Sequence, residues 1–324
     1  MKVFIFLTLL TLSLCVSFSS KTQRLKTDPQ IDQKTSEPAI TASSVADVNS
    51  KNVGWSATLY PEFTGKTQAE LSKTLLGFID PGPEVAQQLR AEYIPPPQTA
   101  DLPYSFYAFS KWDKCKSIKM IRDQGGCGSC WAFASAEVIS DRICIKKNNQ
   151  DIVSPFHIVS CARDNGCGGG WMSEAFDFYI SKGVVLDSCQ PYNLSPKCVK
   201  TCTNKGYKGT YAGARRSGVK RYMLPNNEEE IKKEIYNNGP ITAAFYVYND
   251  FYSYKSGVYH KTSDNYAGGH AIKILGWGVE NGVPFWYCAN SWGTGWGMNG
   301  FFKILRGKNE CSIEEWHVVA GLPK

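Results

Sequence analysis

Histidine is scarce in this chain: there are four in 324 residues, His157, His260, His270 and His317. No HExxH helix and no Cys/His spacing of the zinc-binding kind is present, so no metal is expected in the chemistry. There is no phosphate-cradling glycine loop, and nucleotide-dependent reactions therefore have no anchor. No internal repeat is visible, which sets aside solenoids and propellers. Beyond residue 16 no apolar run reaches spanning length, and no membrane anchor is expected. The net charge of +7 reads as spread along the chain, without a Lys/Arg block. A nucleic-acid arm is therefore not expected either. His157, His260 and His317 have no evident motif partners and read as ordinary structural or solvated residues.

What is present is apolar and sulfur-rich. A hydrophobic content of 43% with 13% aromatics suffices for one large domain or two modest ones. Met1-Lys2, an apolar run from Val3 to Val16, and then Ser17, Ser19 and Ser20 read as a secretory signal peptide over residues 1–20. Its destination is a lysosome-like vacuole or the extracellular space. Twelve cysteines fit an oxidising compartment. Cys15 leaves with the signal, and if one thiol stays reduced for chemistry, ten remain.

Residues 21 to about 40 are polar and are expected to have no fixed structure. Apolar positions scatter around Trp55, a helical pattern runs from Ala69 to Phe78, and Asp80-Pro-Gly-Pro83 breaks it. Pro95-Pro-Pro97 marks an extended linker. This stretch has too little apolar surface for its own core, so residues 21–101 are expected to be a removable pro-segment. The mature domain would be residues 102–324. Its first part, about 102–212, is helical and cysteine-rich, with short helices at Phe156–Cys161 and Trp171–Lys182. Between them Cys167-Gly-Gly-Gly170 is either a flexible loop or backbone that a ligand can approach closely. From about residue 213 to 324 the pattern favours strands: Ile241–Tyr248, His270–Leu275, Pro284–Ala289 and Phe301–Leu305. One helix, Asn227–Asn237, interrupts them. The fold class is α+β in two lobes.

The most informative stretch is Gln124-Gly-Gly-Cys-Gly-Ser-Cys-Trp-Ala-Phe133. A glycine-loosened loop gives way to apolar residues at helical spacing, Trp131 to Ile143. Ser129 is a suitable N-cap, which puts Cys130 in the first turn. There the helix dipole and free N–H groups favour thiolate, the nucleophilic form. Thiol-based peptide hydrolysis also needs a proton donor, a group to orient it, and an oxyanion site. His270, where two glycines lead into a strand, is the best donor. Asn290 can hold its imidazole through an amide oxygen. Gln124 offers an amide N–H beside the backbone N–H of Cys130. Trp292 can shield the His270–Asn290 bond from water.

Cys127-Gly-Ser-Cys-Trp131, followed far downstream by Gly268-Gly-His-Ala271 and Ala289-Asn-Ser-Trp292, resembles the papain-like cysteine peptidases. Ser140-Asp-Arg-Ile-Cys144, Tyr254-Lys-Ser-Gly-Val-Tyr259 and Phe301-Phe-Lys-Ile-Leu-Arg-Gly307 narrow the resemblance to the cathepsin B group. It implies a helical left lobe, a β-barrel right lobe and a cleft between them that the pro-segment blocks. No cofactor is implied. The implied partners are protein and peptide substrates, the chain's own pro-segment as inhibitor, and cystatin-like inhibitors. Gly169 and Gly170 would pair with substrate backbone. Trp171, Met172 and Gly269 would surround the pocket for the second residue before the cut, and Trp292 would border the leaving-group side.

The resemblance also implies four disulfides: Cys115–Cys144, Cys127–Cys167, Cys161–Cys198 and Cys189–Cys202. Cys288 and Cys311 are left either bridged or free. Two departures stand out. The loop by which cathepsin B captures a substrate's C-terminal carboxylate is missing between Cys189 and Cys198, so endopeptidase action is expected. Trp316, beside Glu315, stands where that group carries an acid, which points to apolar rather than basic preference. A catalytically silent binding relative and a thioester-using transferase are the alternatives. Asn193-Leu-Ser195 is the only glycosylation sequon, with Pro196 following.

Overall fold

The computed structural model describes residues 37–97 and 101–324. The signal-peptide reading and Cys15 lie outside the described residues. Residues 37–97 make three short helices and one strand. α1 (Ala42–Ser50) starts on Thr41, which exchanges two hydrogen bonds with Ser44. β1 is Trp55–Ala57. α2 (Gln68–Leu75) starts on the same kind of reciprocal cap, between Thr67 and Glu70. It stops short of the expected Phe78 because Leu76 is already extended (φ −105°, ψ 143°). α3 (Pro83–Ala91) was not foreseen: the proline that ends one helix opens the next at its first position.

The rest of the chain begins with β2 (Phe106–Tyr107) and α4 (Ala108–Lys111). The helices α5 (Cys130–Lys147), α6 (Pro155–Cys161) and α7 (Met172–Ser181) follow. β3 (Val184–Val185) and β4 (Arg215–Arg216) form a two-stranded ribbon. Then come β5 (Gly218–Met223), α8 (Glu228–Asn238), β6 (Ile241–Tyr248), β7 (Tyr254–Tyr259) and β8 (Tyr266–Glu280). β9 (Val283–Ala289), β10 (Phe301–Leu305) and β11 (Val319–Pro323) complete the order. The Asn227 side chain caps α8 by accepting from the Glu230 N–H, and three glutamates fill its first turn.

The main sheet runs β1-β7-β10-β9-β8-β6-β11-β5, with β2 paired to β8. Its outermost strand at one end is β1, from the N-terminal stretch, antiparallel to β7. That strand seats Trp55 against Tyr259, with ring centroids 5.2 Å apart. Trp55, Tyr60, Phe63, Leu71 and Leu75 are buried in the same apolar cluster as the sheet residues. The N-terminal stretch, too poor in apolar residues for a core of its own, completes that of the sheet.

α5 is buried on every face from Cys130 to Cys144, so its charged residues need partners. Glu137 and Asp141 lie 3.4 and 3.0 Å from Lys273 of β8. Arg142 pairs with Glu234 of α8 at 2.9 Å and reaches the Tyr222 hydroxyl at 3.1 Å. The apolar spacing of the sequence marks this helix but gives no sign of these buried ions. Four disulfides brace the loops around it: Cys115–Cys144, Cys127–Cys167, Cys161–Cys198 and Cys189–Cys202. Cys130, Cys288 and Cys311 are buried free thiols. Among the described residues no helix is long and apolar enough to cross a membrane.

Candidate active site

Cys130 is the first residue of α5. Ser129 occupies the cap position, but its hydroxyl makes no capping bond there. It turns instead to the Cys127 carbonyl (3.3 Å) and the Tyr192 hydroxyl (3.2 Å). The Cys127–Cys167 bridge ties this loop to the glycine run. Gly170 packs there against Trp131: a Cβ on Gly170 would sit 2.7 Å from the indole ring. The run is therefore tightly seated.

β8 brings His270 to the thiol. The Ala271 N–H, one residue on, donates to Cys130 Sγ at 3.4 Å. The His270 ring places Nε2 2.8 Å from Asn290 Oδ1, and Nδ1 is buried without a partner. Trp292 lies over this ring at a centroid distance of 4.9 Å. Gln124, fully buried, is held at three points. Its N–H donates to the Ser291 carbonyl (2.9 Å), its Oε1 accepts from the Ser291 hydroxyl (2.7 Å), and its carbonyl accepts from Tyr192 (2.7 Å). Those bonds leave Nε2 pointing into the cleft. Ser291 and Tyr192 carried no sequence motif that marks them for this duty.

The cleft is filled. Gln124 Nε2 donates to the Leu75 carbonyl at 3.0 Å, and Trp292 Nε1 approaches the same oxygen at 3.4 Å. Beyond Leu75 the chain passes over the thiol at Gly77. A Cβ on Gly77 would fall 1.9 Å from the Gly128 carbonyl oxygen, so only glycine passes there. The Gly170 N–H then donates to the Gly77 carbonyl (2.9 Å). Ile79 N–H donates to Gly170 (2.9 Å), and Phe78 N–H to Gly269 (3.1 Å). Phe78 packs edge-on against Trp316 at 4.6 Å and lies 5.4 Å from His317. On either side of this crossing the cleft keeps cavities of about 670 and 570 Å³.

Direction matters here. Phe78 pairs parallel with Gly170, and it lies C-terminal to the residue whose carbonyl meets Gln124. In a peptide cut at a carbonyl on Gln124, the residue in the Trp316 pocket would lie on the N-terminal side. The segment runs the opposite way.

Burial sets the electrostatics. Removal from water pushes the Cys130 thiol up to about 12, against the pull of N–H groups from Ala271, Gly77, Trp131 and Cys130 itself. The same desolvation lowers His270 to about 4, although its bond to Asn290 favours the charged form. Thiol and imidazole are both neutral in this state. The helix start alone suggests thiolate, but desolvation by the overlying segment outweighs the dipole.

Of the residues expected to meet substrate, Gly169, Gly170 and Gly269 lie against the segment, with Gly169 in a left-handed conformation (φ +107°). Met172 belongs to the apolar cluster that contains Phe78. Trp171 packs its ring under the Arg163 guanidinium at 4.8 Å. Glu315 turns its carboxylate to Asn226 (2.8 Å), while the Trp316 indole donates to Asp80 (2.8 Å). His317, a residue read as ordinary, lies against Phe78 with an unpartnered Nε2. Burial lowers its pKa to about 4.

A two-lobed α+β chain with a buried cysteine at a helix start, facing a strand-borne histidine, defines a class. Residues 106–320 match the model of the papain family cysteine proteases, and the chain belongs to that family. Its relatives sharpen the placement. It is 48% identical over 248 residues to a gut-specific cysteine proteinase of Caenorhabditis elegans, covering 69% of this chain and 75% of that one. It is 46% identical over 267 residues to cathepsin B-like cysteine proteinase 3 of the same organism, covering 74% and 71%. Among solved structures, procathepsin B S9 of Trypanosoma congolense superimposes with a TM-score of 0.79 at 36% identity. That match covers 89% of this chain and all of the other. The chain is thus a cathepsin B-like member of the family, similar to a structure solved as a proform.

Proposed function

We propose that this protein is the zymogen of a secretory-pathway cysteine endopeptidase, with residues 37–97 forming the described part of its removable inhibitor. The observation that carries this is the Leu75 carbonyl on Gln124 Nε2, in a chain that runs backwards through the cleft. A peptide group occupies the oxyanion position, yet its direction presents no bond for productive attack.

Once the segment leaves, water returns and desolvation no longer holds Cys130 and His270 neutral. A proton passes from Cys130 Sγ to His270, and Asn290 Oδ1 holds the resulting imidazolium at Nε2. The thiolate attacks the substrate carbonyl carbon, and the oxyanion takes donors from Gln124 Nε2 and the Cys130 N–H. His270 returns its proton to the leaving amine as the C–N bond breaks, leaving a thioester. Water, deprotonated by His270, then releases the acid and restores the thiol.

Specificity follows from the pocket walls. Trp316 and Phe78 meet edge to face where the resemblance would place an acid, and the nearby Glu315 faces Asn226. Apolar and aromatic residues are favoured at that subsite. With no carboxylate-capturing loop between Cys189 and Cys198, internal bonds are cut and C-terminal dipeptide removal is weak. Protein and peptide substrates are the partners, cystatin-like proteins the external inhibitors, and a lysosome-like vacuole or the extracellular space the site of action.

Cleavage-site profiling of the trimmed enzyme on a peptide library tests the reading. Internal cuts with apolar residues two positions before the bond are expected. Dominant arginine at that position, or release of C-terminal dipeptides alone, overturns the specificity. Absence of Cys130 labelling by an epoxysuccinyl probe overturns the enzyme.

A further inference from the structure

The positive charge is not evenly spread. Residues 188–227 contain eight Lys and Arg and no Asp or Glu, which exceeds the +7 of the whole chain. Three of the eight cations are engaged: Arg216 pairs with Asp151 at 2.5 Å, Arg221 with Glu92 at 2.6 Å and with Asp177 at 2.7 Å, and Lys220 lies 6.0 Å from the Tyr222 ring centroid. Lys197, Lys200, Lys205 and Lys208 have no ion-pair partner among the described residues, and Arg215 faces only the Tyr211 ring, at 5.0 Å.

Part of this surface is a built cavity of about 290 Å³. Lys182, Lys200 and Arg215 line it with Tyr211, His157 and Phe178, and no carboxylate does. The Cys161–Cys198 and Cys189–Cys202 bridges brace the loop that brings Lys200 there. His157 Nδ1 accepts from the Val185 N–H at 3.2 Å, which puts the ring proton on Nε2. Nε2 then donates to the Tyr211 hydroxyl at 2.8 Å, leaving the tyrosine's own proton free for a ligand. The cavity therefore offers three cations, one oriented hydroxyl donor and an aromatic floor.

We infer that this cavity and the lysine loop around it bind a sulfated polysaccharide, one sulfate ester entering among Lys182, Lys200 and Arg215 with its sugar ring over Phe178. Sulfate matches the cations and the hydroxyl donor, and a pyranose face matches the phenyl ring. On the secretory reading, the polyanions this surface meets are sulfated glycans rather than nucleic acids. The unpaired lysines beyond the cavity extend the contact along a chain.

The test uses the intact full chain and reads binding, so it is independent of proteolysis. Heparin is titrated against the protein between about 50 and about 200 mM salt. Lys200→Ala/Arg215→Ala is expected to weaken binding about tenfold or more and to lower the log–log salt slope by about one to two. Lys114→Ala/Lys116→Ala, which removes the same charge from an exposed site elsewhere, is expected to change affinity less than about threefold. Tyr211→Phe, with charge unchanged, is expected to weaken a sulfated disaccharide about threefold or more. Equal loss in the two double variants overturns the site in favour of net charge. Equal binding of desulfated polysaccharide, or of duplex DNA or polyglutamate at matched charge, overturns the ligand class. An unchanged Tyr211→Phe overturns the hydroxyl's part.

Discussion

Phe78→Ala probes how the N-terminal segment holds the site closed. The phenyl ring is 7% exposed and fits between Trp316, His317 and Gly269. Truncating a buried phenylalanine costs about 3–5 kcal/mol. Here the pocket lies at the edge of a cleft, and water refills part of it once the ring is gone. A loss of about 2–3 kcal/mol in segment docking is the better figure. The backbone bonds of residues 77–79 to Gly170 and Gly269 do not depend on the ring and persist. An epoxysuccinyl probe reaches Cys130 only when the segment has lifted, so labelling tracks the open fraction. That loss corresponds to labelling about 30- to 150-fold faster than in the parent. The assay follows probe incorporation into the full-length band at short times, with near-ultraviolet circular dichroism as the check on folding. A folded variant that labels within about twofold of the parent refutes the latch and the pocket assignment together.

Three further outcomes follow from the same geometry. With the thiol pushed up to about 12, iodoacetamide modification of Cys130 in the full chain should keep rising with pH beyond neutrality. In the trimmed chain it should level off at much lower pH, and coincident profiles would contradict the burial argument. In the trimmed enzyme, Gln124→Ala should lower kcat about 10²- to 10³-fold with little change in KM, read by steady-state peptide hydrolysis. Lys273→Met strips the cation from Glu137 and Asp141 and should cost about 3–5 kcal/mol near pH 8, measured by urea unfolding. Burial already raises Glu137 to about 7. A carboxyl raised in the folded state is neutral below its unfolded value and loses stability as pH rises through that window. The Lys273→Met defect should therefore shrink toward pH 4.5.

Much of the mature region was legible because its strongest signals are local. Trp131 to Ile143 announced α5, Asn227 and the three glutamates announced α8, and Phe301–Leu305 announced β10 to the residue. What stayed hidden was set by distant parts of the chain. Ser129 has the right chemistry for a cap, but Tyr192 draws its hydroxyl away. Periodicity could not separate Glu137 and Asp141 from a solvated face, since Lys273 lies far along the sequence. The N-terminal stretch read as weakly cored because its apolar residues pack against the sheet rather than one another. Counting charge over the whole chain masked the acid-free stretch 188–227.

The outermost strand of the sheet has a consequence for timing. β1 is stitched to β7, Trp55 is wedged against Tyr259, and Glu92 grips Arg221 well away from the thiol. Cutting the backbone after this segment severs none of those attachments. The freed fragment must still peel off a strand and surrender an aromatic seat before the cleft empties. Scission and the onset of turnover are thus separate events, and a nicked molecule passes through a silent interval whose length is set by unzipping.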